Sequence, residues 1–220
     1  MTKARDTAPT KPTRTRLNPQ EREKEIIEGA ALYFSEVGFE GSMRDLAMRL
    51  GISHALLFRY FPSKEDLVDR VYERIFLSAW DPEWDTLLND HDTSLPLRLA
   101  GFYTRYLTAI DNPVWVRTFI YAGLAGFNIN KRYLQMLRRK VIEPVAKELN
   151  RRAKGGDAHL SDAAVELSWG LHGEIFYFAI RRWIYGVRVE GDVNTFVALT
   201  VTKFLEGAPV ALGAGKNPAQ

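Results

Sequence analysis

Apolar residues recur along this chain at helical spacing, and no stretch sustains the alternation of a half-buried strand. Ile27, Ala30, Ala31 and Phe34 mark the stripe of a first helix, opened by Asn18-Pro19-Gln20-Glu21 and closed by Gly38. The opening reads as a helix start because Asn caps free N–H groups and Pro fits where no N–H is needed. Ser42-Met43-Arg44-Asp45 opens a second helix that Gly51 ends, and Ser53 caps a third over 54–60, which Phe61-Pro62 terminates. Ser63-Lys64-Glu65-Asp66 starts a fourth, predicted to run through Val71 and Ile75 towards Trp80. Further starts stand at Asp81-Pro82, Ser94, Asn112-Pro113 and Asn128, and Gly155-Gly156 breaks the chain before Ser161. The last two helices are expected over 162–185 and 192–205. The pattern predicts an all-α fold of about nine helices. It divides into a basic, disordered arm (1–17), a helix-turn-helix module (18–64), a larger helical domain (65–207) and a flexible tail (208–220).

The second and third helices are joined by Gly51-Ile52-Ser53. That spacing makes a helix-turn-helix: Gly leaves the first helix in a left-handed conformation, Ile plugs the corner, and Ser restarts the chain at a steep angle. Leu46, Ala47 and Leu57 then face inward. The unit is too small to bury them alone, so Ile27 and Phe34 before it and Leu67 and Val71 after it are expected to complete a small core.

From about Ile26 to Val71 the sequence resembles the TetR family of regulators. The matching residues are Ala30, Phe34, Gly38-Phe39, Ser42, Arg44-Asp45-Leu46-Ala47, Gly51-Ile52-Ser53, Leu57-Phe58, Tyr60-Phe61 and Ser63-Lys64-Glu65-Asp66-Leu67. The resemblance implies a DNA-binding module fused to a larger domain that dimerises and senses a small molecule, with repression the family's commoner mode. This chain departs from the family pattern at Met43, where Thr is usual, at Ala55 and Leu56, where small or polar residues are common, and at Phe58, where Tyr is common. The groove-facing surface is therefore more apolar than usual.

A recognition helix enters the major groove by its N-terminal end while the preceding helix crosses the backbone. On that geometry His54, Ala55, Phe58 and Arg59 face the groove. Arg44 and Arg59 can each fork onto guanine, and Ala55, Leu56 and Phe58 can meet thymine methyls. Ser42, Tyr60 and Lys64 are better placed for phosphate, and the resemblance implies a backbone contact for Lys64. Each residue has a plainer reading: Leu56 and Phe58 buried in the module, Arg44 or Arg59 solvated or paired with Asp45, and the ring of Tyr60 mostly in the core.

The larger domain is rich in aromatic residues, which line either a cavity or an ordinary core. The candidates for contact with an effector are Trp80, Phe102, Tyr106, Trp115, Phe119, Trp169, His172, Glu174 and Phe176. His172 and Glu174 stand out as polar residues in an apolar helix. They would orient a ligand, pair with Arg181 or Arg182, or hydrogen-bond across a subunit interface. The resemblance implies that the last two helices form a four-helix dimer interface, making Leu167, Leu171, Phe178, Phe196, Leu199 and Phe204 interface or core positions.

Composition changes this picture little. The 220 residues are 46% hydrophobic and 26% charged, ordinary globular usage, with a net charge of +3. Lys3, Arg5, Lys11, Arg14 and Arg16 concentrate positive charge in the first seventeen residues, as a phosphate-tracking arm or as a solubilising tail. The absence of cysteine excludes disulfides and thiolate metal sites and suits a reducing cytoplasm. The apolar run 175–180 stops at Arg181-Arg182, short of the roughly 20 residues that span a bilayer, so no membrane partner is expected. Four histidines, at 54, 91, 159 and 172, show no metal-ligand spacing, and no phosphate-binding loop, nucleophile elbow or dinucleotide turn is present. The sequence thus points to a homodimeric regulator of double-stranded operator DNA that responds to a small, largely apolar or aromatic effector. It needs no cofactor, metal or catalytic residue. A dimer whose large domain recruits a protein partner is the alternative.

Overall fold

The computed structural model describes residues 18–154 and 160–214. Within them the regular structure is helical: α1 (Pro19–Val37), α2 (Met43–Arg49), α3 (His54–Tyr60), α4 (Lys64–Tyr72), α5 (Pro82–Asn89), α6 (Leu95–Ile110), α7 (Pro113–Leu124), α8 (Ile129–Leu137), α9 (Glu143–Lys154), α10 (Asp162–Trp183) and α11 (Val193–Ala214). Two π-helical turns, Glu73–Leu77 after α4 and Arg138–Ile142 between α8 and α9, raise the segments above the number expected from the pattern. The basic arm, Gly155-Gly156 and His159 lie outside the described residues.

The helix starts are set by the capping residues read from the sequence. Asn18 Oδ1 accepts from Glu21 N at 2.8 Å while Glu21 Oε2 accepts from Asn18 N at 3.0 Å, a reciprocal box that Ser63 and Asp66 repeat at α4. Ser53 Oγ accepts from Leu56 N at 3.1 Å, and Gly51 takes the left-handed φ of 62° that the turn requires. The module core forms as expected around Ile27, Ala30, Phe34, Leu46, Ala47, Leu57, Leu67 and Val71, all buried.

Two expectations are corrected. The fourth helix does not reach Trp80 as a regular α-helix. It widens at Glu73, and the π turn carries Phe76 into the core against Trp115 (ring centroids 4.8 Å), Phe119 (5.8 Å) and Tyr133 (6.0 Å). The chain from residue 208 is not a tail at its start. α11 continues through Pro209 to Ala214 because Ala208 is buried and Leu212 packs on the core, which outweighs the backbone bond that proline removes. The rest of that segment, 215–220, lies outside the described residues.

The module is not a separate body. One continuous apolar cluster runs from Ile26 to Ala208, and α1 lies along α7. Thr118 Oγ1 of α7 donates to Ala31 O at 3.4 Å, and a Cβ at Gly38, whose φ is 73°, would press on the Tyr121 ring at 3.2 Å. Arg70 and Arg74 pair with Glu23 and Glu28 at 2.6 and 2.8 Å, fastening α4 and the π turn after it to α1. Beyond this, α10 and α11 pack on each other, on α6 and on α9.

Candidate functional site

Arg44 on α2 and His54, Ala55, Phe58 and Arg59 on α3 are all exposed. Neither Arg44 nor Arg59 is in an ion pair among the described residues, so both guanidinium groups are available to an anion or a base edge. Phe58 is 38% exposed, with its ring against that of His54 at 4.5 Å, while Leu57 beneath it is fully buried. Leu56 and Tyr60 are half-buried at the edge, which places the ring of Tyr60 against the core as its plainer reading had it.

Two residues assigned to phosphate are engaged within the fold. Ser42 Oγ accepts from Asp45 N at 3.1 Å and donates to Asp45 Oδ2 at 2.7 Å, so its hydroxyl is the cap of α2. Lys64 Nζ donates to Phe39 O and, at 2.9 Å, to Gly41 O. It latches the turn between α1 and α2 to the start of α4. The pattern alone did not reveal this latch, because it joins residues more than twenty positions apart.

In the larger domain, six of the sequence candidates surround one cavity of about 200 Å³: Tyr106, Trp115, Phe119, Trp169, His172 and Phe176. Tyr133, Leu134, Leu137 and Gly173 complete the wall and were not among the candidates. α8 carries the first three of these, and its weaker aromatic pattern hid them. Trp115 stacks on Phe119 with centroids at 5.2 Å and meets Tyr133 edge-on at 5.4 Å. His172 is buried, and its Nε2 lies 3.4 Å from Tyr106 Oη. Burial holds the imidazole neutral, pushing its pKa down to about 4. Burial likewise raises the pKa of the Tyr106 and Tyr133 hydroxyls.

Three candidates do not line this cavity. Glu174 points outward and pairs with Lys203 of α11, because residues two apart on a helix face different directions. Phe102 is core, packed on Trp84 and Tyr106. Trp80 lies under the Lys140 ammonium at 4.9 Å and donates to Asp85 at 3.3 Å. Neither Arg181 nor Arg182 pairs with His172 or Glu174; Arg182 pairs with Asp111 at 2.7 Å.

Residues 26–71, the segment that builds this exposed face, match the family model of the bacterial regulatory proteins of the tetR family. Over this segment the chain is similar to the TetR family. The chain is similar to the HTH-type transcriptional regulator LuxR of Vibrio harveyi, 40% identical over 63 residues that cover 28% of this chain and 31% of that protein. The match thus spans under a third of that relative's length. The whole fold is similar to a TetR-like transcriptional regulator from Rhodococcus sp. RHA1, at 22% identity and a TM-score of 0.65, covering 87% of this chain and all of that one. It is also similar to a TetR family transcriptional regulator from Pseudomonas syringae pv. tomato str. DC3000, at 18% identity and a TM-score of 0.58, covering 86% and 97% of the two chains. Those identities speak for the fold.

In the larger domain the last two helices leave apolar side chains uncovered. Leu199 is 67% and Val210 70% exposed, and Tyr177 is also exposed, whereas Leu171 and Phe178 are core and Leu167, Phe196 and Phe204 are half-buried. Residues 193–213 of α11 are long and apolar enough, by length and composition, to cross a membrane.

Proposed function

We propose that this chain is a homodimeric, DNA-binding transcriptional regulator, a repressor released from a palindromic operator by a small, largely apolar or aromatic effector. The observation that carries the reading is the pairing of an exposed, unpaired basic and aromatic face on α2–α3 with an aromatic cavity in the larger domain. The two are joined through Phe76. Its ring rests on three wall residues, and it stands in the turn that continues α4, whose first residue latches the DNA-facing module. A ligand that repositions Trp115 or Phe119 therefore acts on α4 directly, and on α1 through the opposite face of α7.

Dimerisation is supported by the uncovered apolar residues of α10 and α11, a face that a second copy would bury. In the dimer, two α3 helices meet successive major grooves, with Arg44 and Arg59 on base edges and Phe58 and Ala55 against thymine methyls. Release is a population shift: the effector binds better to the dimer whose recognition helices are not spaced for the operator. Selection of bound duplexes from a random pool, with sedimentation of the complex, tests the reading. An inverted repeat bound by two chains is expected. A monomer on an asymmetric site, or no selected sequence, contradicts it.

A further inference from the structure

The cavity wall specifies more than an apolar ligand. Its volume of about 200 Å³ exceeds the roughly 150 Å³ of a dry apolar cavity that admits benzene, so it suits one substituted ring or a small bicycle. Two polar atoms on the wall residues are buried without a hydrogen-bond partner: Trp115 Nε1 and His172 Nδ1. Of the other polar groups of the wall, Tyr106 Oη lies 3.4 Å from His172 Nε2. A buried indole N–H is a donor only, so what it lacks is an acceptor. None of the wall residues carries a formal charge once His172 is neutral, and burial keeps it so above its lowered pKa of about 4. A carboxylate or ammonium entering here would lose its hydration without a counter-charge.

We propose that the cavity takes a neutral aromatic molecule bearing a hydroxyl or carbonyl oxygen that accepts a hydrogen bond from Trp115 Nε1, with His172 Nδ1 as a second polar position. This rests on the effector reading above and narrows it to a chemical class. Ligand access lies between Leu134 and Gly173, the exposed residues of the wall, where nothing stands within 4 Å of a Cβ placed on Gly173.

Isothermal titration of the full chain at pH 7 with 4-ethylphenol, ethylbenzene and 4-ethylbenzoate tests the proposal. The phenol is expected to bind about tenfold tighter than ethylbenzene, because it fills a donor otherwise left unpaired, and the benzoate about a hundredfold weaker than the phenol. Trp115→Phe keeps a ring and removes the N–H. It should bring the phenol close to ethylbenzene while changing ethylbenzene by less than about threefold. Equal affinities of phenol and ethylbenzene, or tightest binding of the benzoate, would overturn the hydrogen-bonding class and leave an apolar effector standing. Failure of all three to bind would overturn the effector reading itself. Should Trp115→Phe not fold, the three ligands on the unaltered chain still decide.

Discussion

Acidification should weaken this fold through His172 specifically. In the folded chain the ring is buried among Tyr103, Tyr106 and Trp169 and resists protonation until about pH 4, whereas the unfolded chain takes up a proton at the ordinary value of 6.5. Between those values the unfolded state binds more protons, so stability present above pH 6.5 is lost as the pH falls towards 4. At about 1.4 kcal/mol per unit, the loss is about 1.4 kcal/mol by pH 5.5 and roughly 2–3 kcal/mol by pH 4.5. Other groups titrate over the same range, so the informative quantity is a difference. Urea unfolding of the unaltered chain and of His172→Leu, each from pH 7.5 to 4.5, should show the two curves converging or crossing as the variant escapes this penalty. The variant removes the 3.4 Å contact between Tyr106 Oη and His172 Nε2, so the cost near neutrality should be about 1–3 kcal/mol. Parallel loss of stability in both proteins would refute the claim that His172 is held neutral by burial.

Lys64→Ala should lower stability by about 2 kcal/mol, read from thermal melts, because it withdraws a charged donor from the carbonyls of Phe39 and Gly41; an unchanged melt would show that the latch contributes nothing. Gly51→Ala forces a side chain into a left-handed backbone and should cost about 1 kcal/mol by the same measurement, with DNA affinity falling in step. Glu174→Gln breaks a half-exposed pair with Lys203 and should change stability by less than about 1 kcal/mol while leaving ligand affinity unaltered. A loss of ligand binding in that variant would return Glu174 to the cavity wall.

Much of the fold was legible because the chain marks its helix starts with side chains that act locally. Asn18, Ser42, Ser53 and Ser63 each hydrogen-bond a group three residues on, and Gly51 takes the positive φ its turn demands. What was hidden depends on distant partners. The π turn at Glu73 follows from Phe76 finding Trp115 across the core, and the extension of α11 through Pro209 follows from burial of Ala208. The candidate sites divide the same way. Exposure of Arg44, Phe58 and Arg59 follows from their register on two short helices, and Trp115, Phe119 and His172 declared themselves by residue type. Lys64 looked like a free surface cation until the carbonyls of Phe39 and Gly41 were brought to it, and Tyr133 is recruited to the cavity by packing between α7 and α10.

Fluorescence anisotropy of a selected operator duplex, titrated with the unaltered chain and with the Arg44→Ala/Arg59→Ala variant, tests the DNA-reading face most directly. Both arginines are exposed and outside ion pairs among the described residues, so the variant should melt within about 1 kcal/mol of the unaltered chain. Each guanidinium that forks onto a guanine discriminates by about 1–3 kcal/mol, so affinity for the selected site should fall by about a hundredfold or more while binding to random duplex changes far less. Retention of full affinity and sequence preference by a folded variant would contradict the assignment of the α2–α3 face to DNA.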